Sequence, residues 1–227
     1  MYNRRFPHQR CKRVVSALLI ILGLGGVTVL MPQADGISSE HEKVWPSAAY
    51  NPDRGAYISV AAVDPRHRTI ANYFSRRYRI ASDALEAFVH AAHSTGHKLG
   101  LDPLLILSVI AIESRFNPIA ESELGAKGLM QVMPRHHKDK LAKLGGADAV
   151  LDPLKNIIVG AQILKDCIRR GGGLEAGLQL YAGAYGDPEN QYAQKVMAER
   201  ERLDQALRRA SNQTQRSAAA KNNGTTI

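Results

Sequence analysis

Glu113 is the residue whose surroundings could make it reactive. It follows a stretch in which Leu104, Leu105, Ile106, Leu107, Val109, Ile110, Ala111 and Ile112 are apolar and only Ser108 is polar. A helix that is apolar on nearly every side belongs at the centre of a domain. A carboxyl group at the end of such a helix loses hydration, which raises its pKa towards what a general acid needs to hold a proton near neutral pH. A glutamate in this place can also turn out to solvent or pair with nearby Arg115, and position alone leaves both readings open. Other reactive groups are less promising. His136 and His137 are adjacent in a polar stretch and no histidine or cysteine spacing suits tetrahedral zinc, so neither a metal nor a cofactor is expected. Cys167 shares a helical stripe with Ile157, Leu164 and Ile168, which reads as a small core hydrophobe rather than a nucleophile.

The residues after Glu113 sharpen its reading. Glu113-Ser114-Arg115-Phe116-Asn117-Pro118, then Ala120 and Ser122, then Gly125-Ala126-Lys127-Gly128-Leu129-Met130-Gln131-Val132-Met133-Pro134 form one continuous string. With Asp152-Pro153, Asn156-Ile157, Gly160, Leu164, Tyr181, Tyr192, Lys195 and Val196, this string resembles the soluble lytic transglycosylase (SLT) family, the goose-lysozyme-like muramidases of bacteria. The likeness runs from the second helix to the last and is nearest to the short members with a signal or anchor segment.

The resemblance implies an all-α, lysozyme-like fold with a groove for a peptidoglycan glycan strand, and Glu113 as the sole catalytic residue. That residue would protonate the leaving glycosidic oxygen and then, as base, take the proton of the muramyl C6 hydroxyl. The product would be a 1,6-anhydro-N-acetylmuramic acid end. By the same matching Ser122 lies near the reacting sugar, Gln131 reaches its polar groups and Met130 lines the groove. Tyr181 and Tyr192 are the tyrosines near the glutamate, Tyr181 being the one able to hydrogen-bond it. Glu121 and Glu123 match no catalytic position. Ala182 departs from the pattern, since many members have asparagine there. Two rivals remain: a hydrolytic muramidase, in which water attacks, and a non-catalytic glycan-binding or assembly protein.

The positioning elements are helices, and no strand pattern stands out. One helix is expected from Ile70 to Arg79, and another from Ser82 or Asp83 through Leu85, Phe88, Val89 and Ala92. Asp102 and Pro103 make a cap and first-turn proline for the helix carrying Glu113, and Asp152 and Pro153 repeat the device. The helix from Pro153 should stop at Gly171, Gly172 and Gly173, followed by helices from Leu174 to about Ala184 and from about Asn190 to Leu207. The resulting domain covers 70–207. Residues 35–69, with Gly36, Pro46, Pro52, Gly55 and Pro65, read as a linker, and 208–227 as a basic disordered tail.

The chain of 227 residues has a formal charge of +9, and where that charge lies decides what it means. Arg4, Arg5, Arg10, Lys12 and Arg13 precede any acid, and Arg208, Arg209, Arg216 and Lys221 follow the last one. Setting these nine aside from the 30 Lys and Arg leaves 21, equal to the 21 Asp and Glu. A neutral body of this kind lacks the electrostatic footprint of a nucleic-acid binder. The basic start and the uncharged apolar residues 14–31 make the segment 1–34 an export signal, either cleaved or kept as an inner-membrane anchor. The expected location is the periplasm. Cys11 precedes that segment, so the exported part holds one cysteine and no internal disulfide.

Overall fold

The computed structural model describes residues 48–51, 56–59 and 64–223. The apolar segment 14–31, and with it the export reading, lies outside the described residues. Among the described residues no helix is long and apolar enough to cross a membrane.

The fold is dominated by helices, as expected. They are α1 (Pro65–Tyr78), α2 (Ser82–Leu99), α3 (Pro103–Glu113), α4 (Lys138–Ala142), α5 (Pro153–Gly171), α6 (Leu174–Ala182) and α7 (Gln191–Asn223). Both aspartate caps form. The Asp102 carboxylate accepts from the Leu104 amide at 2.9 Å, and Asp152 accepts from the amides of Leu154 and Lys155 at 2.9 and 3.1 Å. The α5 helix ends on Gly172 in the left-handed conformation, φ 72°.

Three departures from the sequence reading concern the ends of the chain. Within the stretch read as a linker, β1 (Ala48–Asn51) pairs antiparallel with β2 (Ala56–Ser59), Ala48 opposite Ser59 and Asn51 opposite Ala56. Strands of four residues are too short to display a period, and the prolines and glycines around them carried the linker signal. Helix α1 begins at Pro65 rather than Ile70, because Asp64 caps it by accepting from the Arg66 amide at 2.8 Å. Pro65 is a first-turn proline, not loop punctuation. The α7 helix runs to Asn223, well past Leu207. Ala, Arg, Gln and Lys are good helix formers, and once a helix is nucleated each further residue adds a hydrogen bond at little cost. Composition that cannot bury a core can therefore still extend a helix that is already packed.

Helix α3 occupies the centre, packed between α2 and α7, with every residue from Leu105 to Ala111 buried. The one polar side chain among them is satisfied: the Ser108 hydroxyl donates to the Leu104 carbonyl at 2.7 Å. Each fully buried Leu or Ile stabilises by roughly 1.5–3 kcal/mol relative to exposure, so the core holds this helix firmly and fixes where its last residue lies.

Candidate active site

Glu113 is the last residue of α3. The helix closes on Ser114, whose amide donates to the Ile110 carbonyl and whose hydroxyl donates to the Leu129 carbonyl at 2.8 Å. The chain then turns sharply. Arg115 and Phe116 both adopt left-handed backbone, φ 53° and 63°. This costs side-chain-bearing residues on the order of 1–3 kcal/mol each and persists only where the surroundings enforce it. Here the enforcing contact is Phe116, fully buried, with its ring 4.4 Å from that of Phe74.

The Glu113 side chain keeps part of its surface open while its carboxyl group is crowded by protein. Loss of hydration raises its pKa from 4.5 to about 7, and the Tyr192 hydroxyl, donating to Oε1 at 2.6 Å, opposes the rise. Burial and then the neighbouring carboxylate push the Tyr192 phenol well above its ordinary value, so it remains protonated as the donor. The tyrosine roles are thus exchanged relative to expectation. Tyr192, brought by the first turn of α7, holds the glutamate, whereas the Tyr181 hydroxyl donates to the Met130 carbonyl at 2.7 Å. The resemblance to the family implies that two tyrosines belong near the site; it does not fix which hydroxyl falls within reach of the carboxyl.

The loop between α3 and α4 carries the other expected residues. Its frame is a set of main-chain bonds, including paired bonds between Lys127 and Val132 and one from the Ser122 amide to the Ala126 carbonyl. The Ser122 Oγ accepts from the Ala126 amide at 3.0 Å, which makes it part of that frame. Gln131 sits at φ 48° and its Nε2 donates to the carbonyls of Ala120 and Gly128, both at 3.1 Å. Met130 corrects the expectation of a groove-lining side chain, because it is completely enclosed. Its side chain packs against Gly160 of α5, where an added Cβ would come within 2.6 Å of the Met130 Cβ and sulfur. An unbranched thioether fills such a gap well.

Asn156 is the organising residue that sequence reading passed over except as part of the motif string. Fully buried, it accepts the Met130 amide at 2.8 Å and donates from Nδ2 to the carbonyls of Lys127 and Val150 at 2.8 and 2.9 Å. Gly128, at φ 75°, lies so close to this amide that an added Cβ would overlap Nδ2. The available signal was an asparagine four residues before Gly160 and eight before Leu164, on the stripe of α5 that faces the core. A buried amide needs partners, and main-chain loop groups are the ready ones.

A cavity of about 610 Å³ opens elsewhere, among α1, α2, α3 and the outer part of α7, lined by His67, His93, Leu104, Leu107 and Leu207 among others. It contains none of the residues around Glu113. Its His67 ring is buried, with both nitrogens lacking a hydrogen-bond partner.

The sequence model described as "Transglycosylase SLT domain" matches residues 90–224, and this chain belongs to that family. The chain is 37% identical over 102 residues to a transglycosylase of Enterobacteria phage PRD1, covering 43% of this chain and 37% of that protein. It is 33% identical over 101 residues to a membrane-bound lytic murein transglycosylase C of Mannheimia succiniciproducens, covering 42% of this chain and 26% of the relative. An endo-type membrane-bound lytic murein transglycosylase A of Klebsiella pneumoniae is 37% identical over 79 residues, or 32% of this chain and 39% of the other. The chain therefore spans well under half the length of each of these relatives. The solved structure of an inactive mutant of the lytic transglycosylase Slt from Pseudomonas aeruginosa aligns with a TM-score of 0.47 and 19% identity, over 69% of this chain and 40% of that one.

Proposed function

We propose that this chain is a peptidoglycan lytic transglycosylase that cleaves the β-1,4 bond between N-acetylmuramic acid and N-acetylglucosamine. The observation that carries the reading is one carboxyl group, Glu113, with a pKa raised to about 7 and a tyrosine hydroxyl on one oxygen. A group of that pKa is divided between acid and base near neutral pH, which suits it to give a proton and take one back. In the first step the Glu113 carboxylic acid protonates the glycosidic oxygen as the bond to C1 breaks. In the second the Glu113 carboxylate accepts the proton of the muramyl C6 hydroxyl as that oxygen bonds to C1. The acid is regenerated, no water is consumed, and the muramyl residue ends as the 1,6-anhydro sugar.

Most glycosidases need a second carboxylate. Glu121, the nearest in sequence, is exposed and paired with Lys127 at 2.9 Å, so the substrate's own acetamido group is assigned the task of shielding the cation. Ser122 and Gln131 are assigned to the sugar-binding face, Gln131 through its Oε1 because its nitrogen is engaged in the loop. Met130 and Tyr181 support that face from behind. Family membership and the names of the relatives support peptidoglycan as the substrate and the cell envelope as the location, with 14–31 as the export or anchor segment. Glu113→Gln tests the reading: it preserves volume but cannot exchange the proton. Lysis of purified peptidoglycan should fall by at least about a thousandfold with an unchanged circular dichroism spectrum. A variant as active as the wild type would remove Glu113 from its role.

A further inference from the structure

Helix α1 ends before residue 90, where the family match begins, yet it touches both pieces of structure that hold Glu113. The first is the turn that follows the glutamate. Phe74 and Tyr78, one helical turn apart on α1, place their rings 4.4 and 5.8 Å from that of Phe116, three residues after Glu113 in the chain. Phe74 and Phe116 are both fully buried. Their contact keeps Arg115 and Phe116 in left-handed backbone that neither side chain would choose.

The second piece is α7. Arg77, next to Tyr78, reaches Glu199 Oε2 at 3.3 Å, and that carboxylate is 1% exposed. Glu199 lies seven residues after Tyr192, two turns along the same face of α7. Arg202 binds the same oxygen from within α7 at 2.8 Å, so Arg77 is the partner that ties the buried charge to another helix. Without Arg77 the buried carboxylate would be left to Arg202 alone, within its own helix, and the charged link between α1 and α7 would be lost.

We propose that α1 is a positioning element of the active site, with Phe74 its central residue: it clamps Phe116 behind Glu113 and anchors the helix that delivers Tyr192. This rests on the reading of Glu113 as the acid and base. It assigns a task to a segment that the family match leaves out. Loosening the clamp lets the turn after Glu113 relax and admits water to the carboxyl group, which restores hydration and lowers its pKa towards the ordinary value. The residues assigned to the sugar, Ser122 and Gln131, lie further along the same loop, where the Lys127–Val132 bonds and Asn156 hold the frame, so binding is spared while turnover falls.

The test is a direct titration of Glu113 by carbon NMR in the full chain labelled at glutamate side chains, with the resonance assigned by its loss in Glu113→Gln. In Phe74→Leu the midpoint should fall from about 7 by about one pH unit, and kcat on peptidoglycan by about tenfold with KM nearly unchanged. Phe74→Met, whose unbranched side chain adapts better to the gap, carries the same expectation should the leucine variant unfold. Leu141→Ala, a buried change in α4, should lower thermal stability without moving the midpoint. If Phe74→Leu loses stability as Leu141→Ala does while the Glu113 titration overlays the wild type, α1 is packing alone and the proposal is overturned. If the midpoint moves but Glu113→Gln lyses peptidoglycan as well as the wild type does, the catalytic reading fails and the positioning role stands.

Discussion

The Tyr192 hydroxyl donates to Glu113 Oε1 at 2.6 Å, joining the first turn of α7 to the last residue of α3. A hydrogen bond to a carboxylate stabilises the ionised form, so this contact lowers a pKa that burial has raised. Tyr192→Phe should therefore move the alkaline limb of the pH–activity profile upward by about one unit, in line with roughly 1.5 kcal/mol for a hydrogen bond to a charged group. A profile superimposable on that of the wild type would mean that the bond does not act on catalysis. Tyr181→Phe should instead cost stability, because the hydroxyl it loses serves the Met130 carbonyl.

The raised pKa of Glu113 also has a thermodynamic consequence. The folded protein holds this proton up to about pH 7, whereas the unfolded chain releases it near 4.5. Between those values the folded state binds more protons, so stability declines as pH rises and stays reduced above 7. A shift of that size corresponds to roughly 3 kcal/mol, and part of the side chain meets solvent, so about 2 kcal/mol is the expected scale. Glu113→Gln should accordingly be more stable than wild type at pH 8 and gain little at pH 4. Urea denaturation at the two pH values measures the difference, and equal gains would contradict burial as the cause.

Three histidines on α1 and α2 act in the opposite direction. Burial lowers the pKa of His67, His90 and His93, with like charges adding to it for His67 and His93 and Asp64 opposing it at both. The unfolded chain then takes up protons near 6.5 that the folded chain refuses, and stability is lost as pH falls below that value. His67→Phe should flatten this acid limb in thermal unfolding measured from pH 7 to pH 4. A slope identical to that of the wild type would show that His67 ionises equally in both states.

How much of this was legible in the sequence depends on the range of the interactions concerned. The caps at Asp102 and Asp152, the all-apolar α3 and the isolation of Glu113 at its end are local features, and all were readable from residue types and spacing. The extension of α7 and the early start of α1 were misjudged, because composition reports what can bury a core and not what can continue a helix. The loop could not be read at the level of contacts. That Tyr192 rather than Tyr181 meets Glu113, or that Met130 faces inward onto Gly160, depends on helices distant in sequence. Asn156 stood within the motif, but its three main-chain partners lie 6 to 29 residues away.

Those partners make Asn156 the most sensitive residue behind the loop. Asn156→Leu keeps the branched outline but is bulkier, and it strands the Met130 amide and the Val150 carbonyl without partners while the Lys127 carbonyl keeps only the Val132 amide. With about 1–3 kcal/mol for each of the two unsatisfied buried groups, a loss of at least about 2 kcal/mol is expected. Gly128→Ala should be comparably harmful, since it meets Asn156 and forces alanine into left-handed backbone. Guanidinium unfolding of both variants checks this, and a loss under about 1 kcal/mol would show that the loop has another support.

The most direct test of the account is the mass of the products released from purified peptidoglycan. If Glu113 acts first as acid on the glycosidic oxygen and then as base on the muramyl C6 hydroxyl, no water enters. Each fragment should end in a 1,6-anhydro-N-acetylmuramic acid, lighter by one water than a reducing end. Mainly reducing ends would contradict the transglycosylase reaction and leave Glu113 as the acid of a hydrolase, and no fragments at all from the folded full-length chain would contradict catalysis itself.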